Sequence, residues 1–172
     1  MTSTTTIVIV MGIAGTGKTT LGKALARTLN WTFYEGDDLH PAANIVKMAR
    51  GQPLTDADRV PWLQRLAQVI NQCLAQQQSA VITCSALKAA YRKRLQQSPA
   101  VQFVYLTGSR ALIQQRLQQR QDHFMTAQLL DSQLATLEEP DDALRLDIAQ
   151  SLDAMVQQVC RWLEVDGQDC SS

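Results

Sequence analysis

The chain has no excess charge of either sign: 16 Lys and Arg balance 16 Asp and Glu, for a formal net charge of zero. That balance argues against broad binding to nucleic acid or anionic membranes, though a local basic cluster can still hold a small anion. No stretch approaches the roughly 20 apolar residues of a spanning helix. The first apolar run, Ile7 to Met11, is too short for a signal h-region, and Met1 to Thr6 lacks cations, so no signal peptide is expected. The four cysteines, Cys73, Cys84, Cys160 and Cys170, form no C-x-x-C pair and join no His/Cys cluster, which argues against zinc. They read as small hydrophobes in a reducing cytoplasm, with Cys170 in a frayed tail. There is no internal repeat and no linker. Glutamines such as Gln114, Gln115, Gln118 and Gln119 fall inside helical patterns and read as solvated helix surface.

What is present is a core. With 45% hydrophobic residues, 172 residues suit one α/β domain over 1–172, with 166–172 as a flexible tail. Ile7 to Met11 reads as a fully buried strand and Lys18 to Leu29 as a helix with Leu21, Leu25 and Leu29 on one face. Further strands are expected at Thr32 to Tyr34, Ala80 to Cys84, Val101 to Leu106 and Leu144 to Ile148. Helices are expected at Pro41 to Arg50, from the Thr55 cap to about Gln77, and at Lys88 to Gln97. Three more follow: from the Ser109 cap to about Arg120, Ala127 to Leu137, and Leu152 to Leu163. Asp58, three residues after Thr55, completes a capping-box-like pair. Strands alternating with helices predict a parallel sheet covered on both faces, with ligands beyond the carboxyl ends of the strands.

Gly12 through Thr19 fits G-x-x-x-x-G-K-[ST], directly after a strand and opening a helix. Glycines let backbone N–H groups point inward at phosphate oxygens, and the helix N-terminus adds partial positive charge. Lys18 can reach the β- and γ-phosphates, and the Thr19 hydroxyl can ligate Mg²⁺. Gly12, Ile13, Ala14, Gly15, Thr16, Gly17, Lys18, Thr19 and Thr20 are therefore the expected ATP contacts. No Asp-x-x-Gly or Asn/Thr-Lys-x-Asp motif marks a GTPase, and the third strand ends in Thr83-Cys84-Ser85, not in an acidic Walker-B residue. The second strand instead ends in Glu35-Gly36-Asp37-Asp38-Leu39-His40. Asp37 there can accept or orient the proton of an attacking hydroxyl. Asp38 reads as a turn or cap residue, and Glu35 as a helper of the Mg²⁺ shell through water.

Four segments resemble the bacterial gluconate kinase family, relatives of shikimate and nucleoside-monophosphate kinases. They are Met11 through Thr19; Gly36 through Pro41 with Asn44, Lys47 and Met48; Gly51 through Arg59 with Pro61-Trp62-Leu63; and Cys84 through Lys88 with Tyr91-Arg92. A weaker fifth is Arg120 through Met125. The resemblance spans about 7–165. It implies ATP-dependent, Mg²⁺-dependent conversion of D-gluconate to 6-phospho-D-gluconate in carbohydrate metabolism, a cytoplasmic homodimer, and sheet order 2-3-1-4-5 with a lid at about 120–137. The family usually has glycine where Asp122 stands, and the loop Glu138 to Asp142, expected on the adenine side, differs in detail.

A sugar acid needs a cation and polar donors. Lys47, Arg50, Arg59, Lys88 and Arg92 are candidates, each also readable as a solvated charge. His40, beside Asp37, can bond a sugar hydroxyl. His123 and Phe124 are expected at the lid base, with His123 a further substrate contact. Arg116 and Arg120, four apart at a helix end, can reach the phosphates, with Arg120 favoured as the catalytic one. Trp62 reads as core more than stacking platform, Trp31 and Trp162 as packing. Two rival readings share the phosphate loop: a kinase with another acceptor, such as shikimate or a nucleotide, and a nucleotide-binding regulator without transfer.

Overall fold

A computed structural model describes residues 4–120 and 127–163. Ile7–Met11 forms β1, and its five residues are all buried because the strand is central. It pairs in parallel with β3 (Ala80–Thr83) on one side and β4 (Val101–Thr107) on the other. β2 (Thr32–Glu35) joins β3, and β5 (Leu144–Asp147) joins β4. The order is therefore β2-β3-β1-β4-β5, as the family resemblance implies, and all strands are parallel, as the alternation of strands and helices predicts.

The period-two alternation of β1 sorts the core into two layers. Val8 and Val10 face a cluster with Leu21 and Leu25 of α1 (Lys18–Leu29) and Val156 and Val159 of α7 (Leu152–Trp162). Ile7, Ile9 and Met11 face Trp62, Leu66 and Ile70 of α3 (Asp56–Ala75) and Leu95 of α4 (Ala89–Leu95). The remaining helices among the described residues are α2 (Ala42–Ala49), α5 (Arg110–Gln119) and α6 (Ala127–Thr136). Trp31 and Trp162 are partly buried packing residues, and Trp62 is core. Cys73, Cys84 and Cys160 are buried; Cys170 and the tail lie outside the described residues.

Local signals set the helix starts. Thr55 and Asp58 form a reciprocal capping box on α3, Ser109 caps α5 and Ser151 caps α7. Pro41 is the cap of α2 and not its first residue, since its backbone is extended. The acidic stretch after β2 forms a short 3-10 helix over Gly36–Leu39, with Asp37 and Asp38 in its first turn.

Candidate active site

The loop from Gly12 to Thr19 carries the end of β1 into α1. Gly17 caps α1 at φ 87, a left-handed conformation that favours glycine, and no side chain caps the helix. Its first-turn amides are thereby presented to a ligand. Thr16, buried, donates its hydroxyl to the Ile13 carbonyl at 2.8 Å and fixes the loop from inside. Lys18 Nζ donates to the same carbonyl at 3.1 Å. Burial lowers the Lys18 pKa, while the charges of Asp37, Cys84 and Glu35 oppose that shift.

β2 delivers the acidic partner. Gly36 comes so close to β3 that a Cβ there would sit 1.8 Å from the Thr83 carbonyl oxygen, so only glycine fits. Its N–H donates to Thr83 Oγ1 at 3.1 Å, and its carbonyl accepts from Trp62 Nε1 at 2.8 Å. These bonds pin the peptide just before Asp37. Asp37 opens towards solvent at a cavity, but the protein around its carboxyl is enough to push its pKa above the ordinary value; Lys18 and Arg120 pull it down. Glu35 accepts from Thr19 Oγ1 at 2.6 Å and also from Thr83 Oγ1. The Thr19 hydroxyl and Glu35 carboxylate are hard oxygen donors, suited to Mg²⁺, which takes much of its shell from phosphates and water. Among the described residues no group of three or more His, Cys, Asp or Glu could hold a metal alone.

Two cavities meet at this loop. One is lined by Gly15, Thr16, Gly17 and Thr20 with Arg116 and Arg120 from the end of α5. Gln119, read from sequence as solvated helix surface, completes it with Gln150, Leu152 and Met155, none of them assigned a ligand role from sequence. Arg116 is tied to the Ile148 carbonyl at 2.8 Å, whereas Arg120 is exposed and its charge reaches both Lys18 and Asp37. The other cavity gathers Ala14, Lys18, Asp37, His40 and Arg59. It also takes Met48, Gln52, Trp62, Ser85, Ser132 and Gln133, none of them assigned a ligand role from sequence. The third resemblance segment contains Gln52, which was a signal for that loop.

Several expected substrate cations are held elsewhere. Lys47 Nζ bonds Asp58 Oδ2 at 2.7 Å, and Lys88 Nζ bonds Asp56 Oδ1 at 2.9 Å. Arg92 is buried and donates to the carbonyls of Ala86 and Leu87. Arg50, at the end of α2, is exposed and is not among the residues lining the cavity. Lys88 is the cap residue of α4, and neither it nor Arg92 lines the cavity. Arg59 alone of these five lines the cavity, held over the Tyr91 ring at 5.5 Å and donating to its hydroxyl at 3.2 Å. The loop expected near adenine packs instead on α4: Glu138 Oε2 accepts from Ala89 N–H at 2.7 Å. With Arg92 and Lys93 it lines a separate cavity of about 410 Å³ that shares no residue with the other two. Asp122, His123 and Phe124 lie outside the described residues.

Comparison with known proteins identifies the family of the chain. The Shikimate kinase family model matches residues 14–160. A gluconokinase of Gluconobacter oxydans is 44% identical over 92% of this chain and 91% of its own length. A solved sugar kinase from Janibacter is 41% identical with a TM-score of 0.88, covering 98% of this chain and 99% of that one. A solved gluconokinase from Sinorhizobium meliloti is 37% identical with a TM-score of 0.80, covering 96% and 99%.

Proposed function

This chain belongs to the shikimate kinase family of P-loop kinases and, within it, to the gluconokinase family, and from that premise we propose that it transfers the γ-phosphoryl group of ATP to the 6-hydroxyl of D-gluconate. The observation that carries the reading is the second cavity, which places Lys18, Asp37, His40 and Arg59 around one space beside the phosphate loop.

In this proposal the nucleotide lies along Gly15 to Thr20, with Arg116 and Arg120 on its phosphates. The acceptor oxygen attacks phosphorus in line, the bond to the β-phosphate oxygen breaks, and ADP leaves. Asp37 orients the acceptor hydroxyl and takes its proton; a carboxyl whose pKa is raised is better matched to that task. Lys18 and Arg120 offset charge on the group in transit. Arg59 takes the substrate carboxylate, since the other described cation of this cavity, Lys18, is committed to phosphate. Thr19 and Glu35 would hold Mg²⁺, which when bound neutralises charge on the β- and γ-oxygens. α6, with Ser132 and Gln133 in the cavity wall, belongs to the lid in this reading, and His123 is a further acceptor contact.

A cytoplasmic homodimer is part of the same proposal; among the described residues, no helix is long and apolar enough to cross a membrane. The test is ADP release measured with gluconate, shikimate and nucleoside monophosphates as acceptors. Turnover stimulated by gluconate is expected. Stimulation by shikimate or a nucleotide instead would overturn the assignment.

A further inference from the structure

Trp62 and His40 stack at 4.2 Å between ring centroids and 13° between planes. Trp62 is itself anchored by its bond to the Gly36 carbonyl, so the plane of the imidazole is fixed relative to the peptide that carries Asp37. The direction of its hydrogen bonds is fixed by a different residue. Asn44, buried on α2, has its Nδ2 2.8 Å from the backbone carbonyl oxygen of Asp58 and 3.2 Å from His40 Nδ1.

A backbone carbonyl only accepts, so the Asn44 atom facing it must be the NH₂ group. One amide hydrogen serves Asp58, and the other points at His40 Nδ1. That ring nitrogen therefore has to be the unprotonated one. In a neutral imidazole the proton then sits on Nε2. His40 lines the acceptor cavity, and no buried side-chain nitrogen or oxygen among the described residues lacks a partner. The nitrogen left for the acceptor is thus a donor.

We propose that Asn44 is a positioning residue for acceptor recognition: it locks His40 as the neutral Nε2–H tautomer, so that His40 donates to a hydroxyl oxygen of the polyol and cannot serve as a base. This rests on the sugar-acid reading above and divides the labour at the site. Asp37 is the group that can accept a proton, and His40 selects an acceptor that presents a lone pair next to the reacting hydroxyl. The chemical class favoured is a polyhydroxylated acid carrying an oxygen at that place; an analogue without it leaves a buried donor unpaired.

The experiment pairs NMR with kinetics. The chain has two histidines, so the ring ¹⁵N signals of His40 are readily assigned with a His123 variant. The wild type is expected to show the Nε2–H pattern. Asn44→Asp keeps the shape but offers only acceptors, to Nδ1 and to the Asp58 carbonyl alike, so at a pH where the imidazole is neutral the tautomer should switch to Nδ1–H. With it, the gluconate KM should rise about tenfold or more while the ATP KM stays within about twofold, as for loss of one buried hydrogen bond. A wild-type Nδ1–H or imidazolium signal would sink the proposal, and so would a switched tautomer with an unmoved gluconate KM. If Asn44→Asp does not fold, His40→Gln and His40→Met decide: the carboxamide keeps a donor near the Nε2 position and should give at least about a fivefold lower gluconate KM than the isosteric thioether. Equal values would overturn the claim. Failure of the wider reading looks different: no polyhydroxy acid would stimulate ADP release by the wild type, and the tautomer pattern would then judge Asn44 alone.

Discussion

Gln133 on α6 accepts a hydrogen bond from the backbone N–H of Ala14, 2.8 Å away, so the wall of the acceptor cavity is latched directly to the phosphate loop. Ala14 and Lys18 line the cavity proposed for the acceptor, whereas Gly15, Thr16, Gly17 and Thr20 line the one proposed for the nucleotide. In the transfer proposed above, a phosphoryl group passing between the two crosses near Ala14 and Lys18. On that reading Gln133 Oε1 holds a phosphate-loop N–H beside the crossing. Gln133→Glu puts a carboxylate on that amide and near the Lys18 ammonium, in competition with the triphosphate. The ATP KM should rise about tenfold or more, while Gln133→Ala should leave it within about threefold. Steady-state kinetics and calorimetric ATP binding check both; an unmoved KM in Gln133→Glu refutes the crossing point.

The roles of Lys18 and Asp37 separate by kinetic parameter. Asp37→Asn removes the proton acceptor and keeps the shape, so kcat should fall about 10²–10⁴-fold with little change in the gluconate KM. Lys18→Ala removes a charge that acts on the phosphoryl group and should lower kcat at least as far, with far-UV circular dichroism unchanged. Near-normal turnover in either variant removes that residue from the mechanism.

How far the sequence led depended on whether a signal was local. The phosphate loop, the Thr55–Asp58 box and the Ser109 cap are set by neighbours within a few residues, and each forms where its pattern lies. The sheet order came from the family resemblance and matches. Which of the candidate cations lines the cavity was not legible, because the partners that engage the others arrive by tertiary packing. Asp58 on α3 takes Lys47 from α2, and Asp56 takes Lys88 across 32 positions. Gln133 had no signal at all: it is one glutamine in a chain rich in them, and only the approach of α6 to Ala14 gives it a partner.

Arg59 can be told apart from those other cations. Its guanidinium lies over Tyr91 and faces the cavity, so Arg59→Ala should raise the gluconate KM about 10- to 100-fold, the loss of a charge-assisted bond. Arg59→Lys should recover little of it, because an ammonium does not reproduce the planar fork. Lys88→Ala, at a partly exposed pair with Asp56, should leave that KM nearly unchanged. A larger effect at Lys88 than at Arg59 would reverse the assignment of the carboxylate.

Acid should weaken the fold in two windows. Burial, helped by the Arg59 charge, pushes the His40 pKa from 6.5 down to about 4. Between those values the unfolded chain binds a proton that the folded protein refuses, so stability is full above pH 6.5 and falls as the pH drops towards 4. Asp58 titrates lower: its bond from Lys47, followed by that from the Thr55 N–H, holds it near 2 against an ordinary 3.8. Its contribution is present above pH 3.8 and is lost as the pH falls to about 2. Urea unfolding at a series of pH values should therefore show His40→Gln flattening the upper window relative to wild type, and Asp58→Asn flattening the lower one. Parallel wild-type and His40→Gln curves between pH 6.5 and 4 would mean that the imidazole is not kept neutral by its surroundings. The neutral imidazole that the inferred Nε2–H donor requires would then have no support from stability.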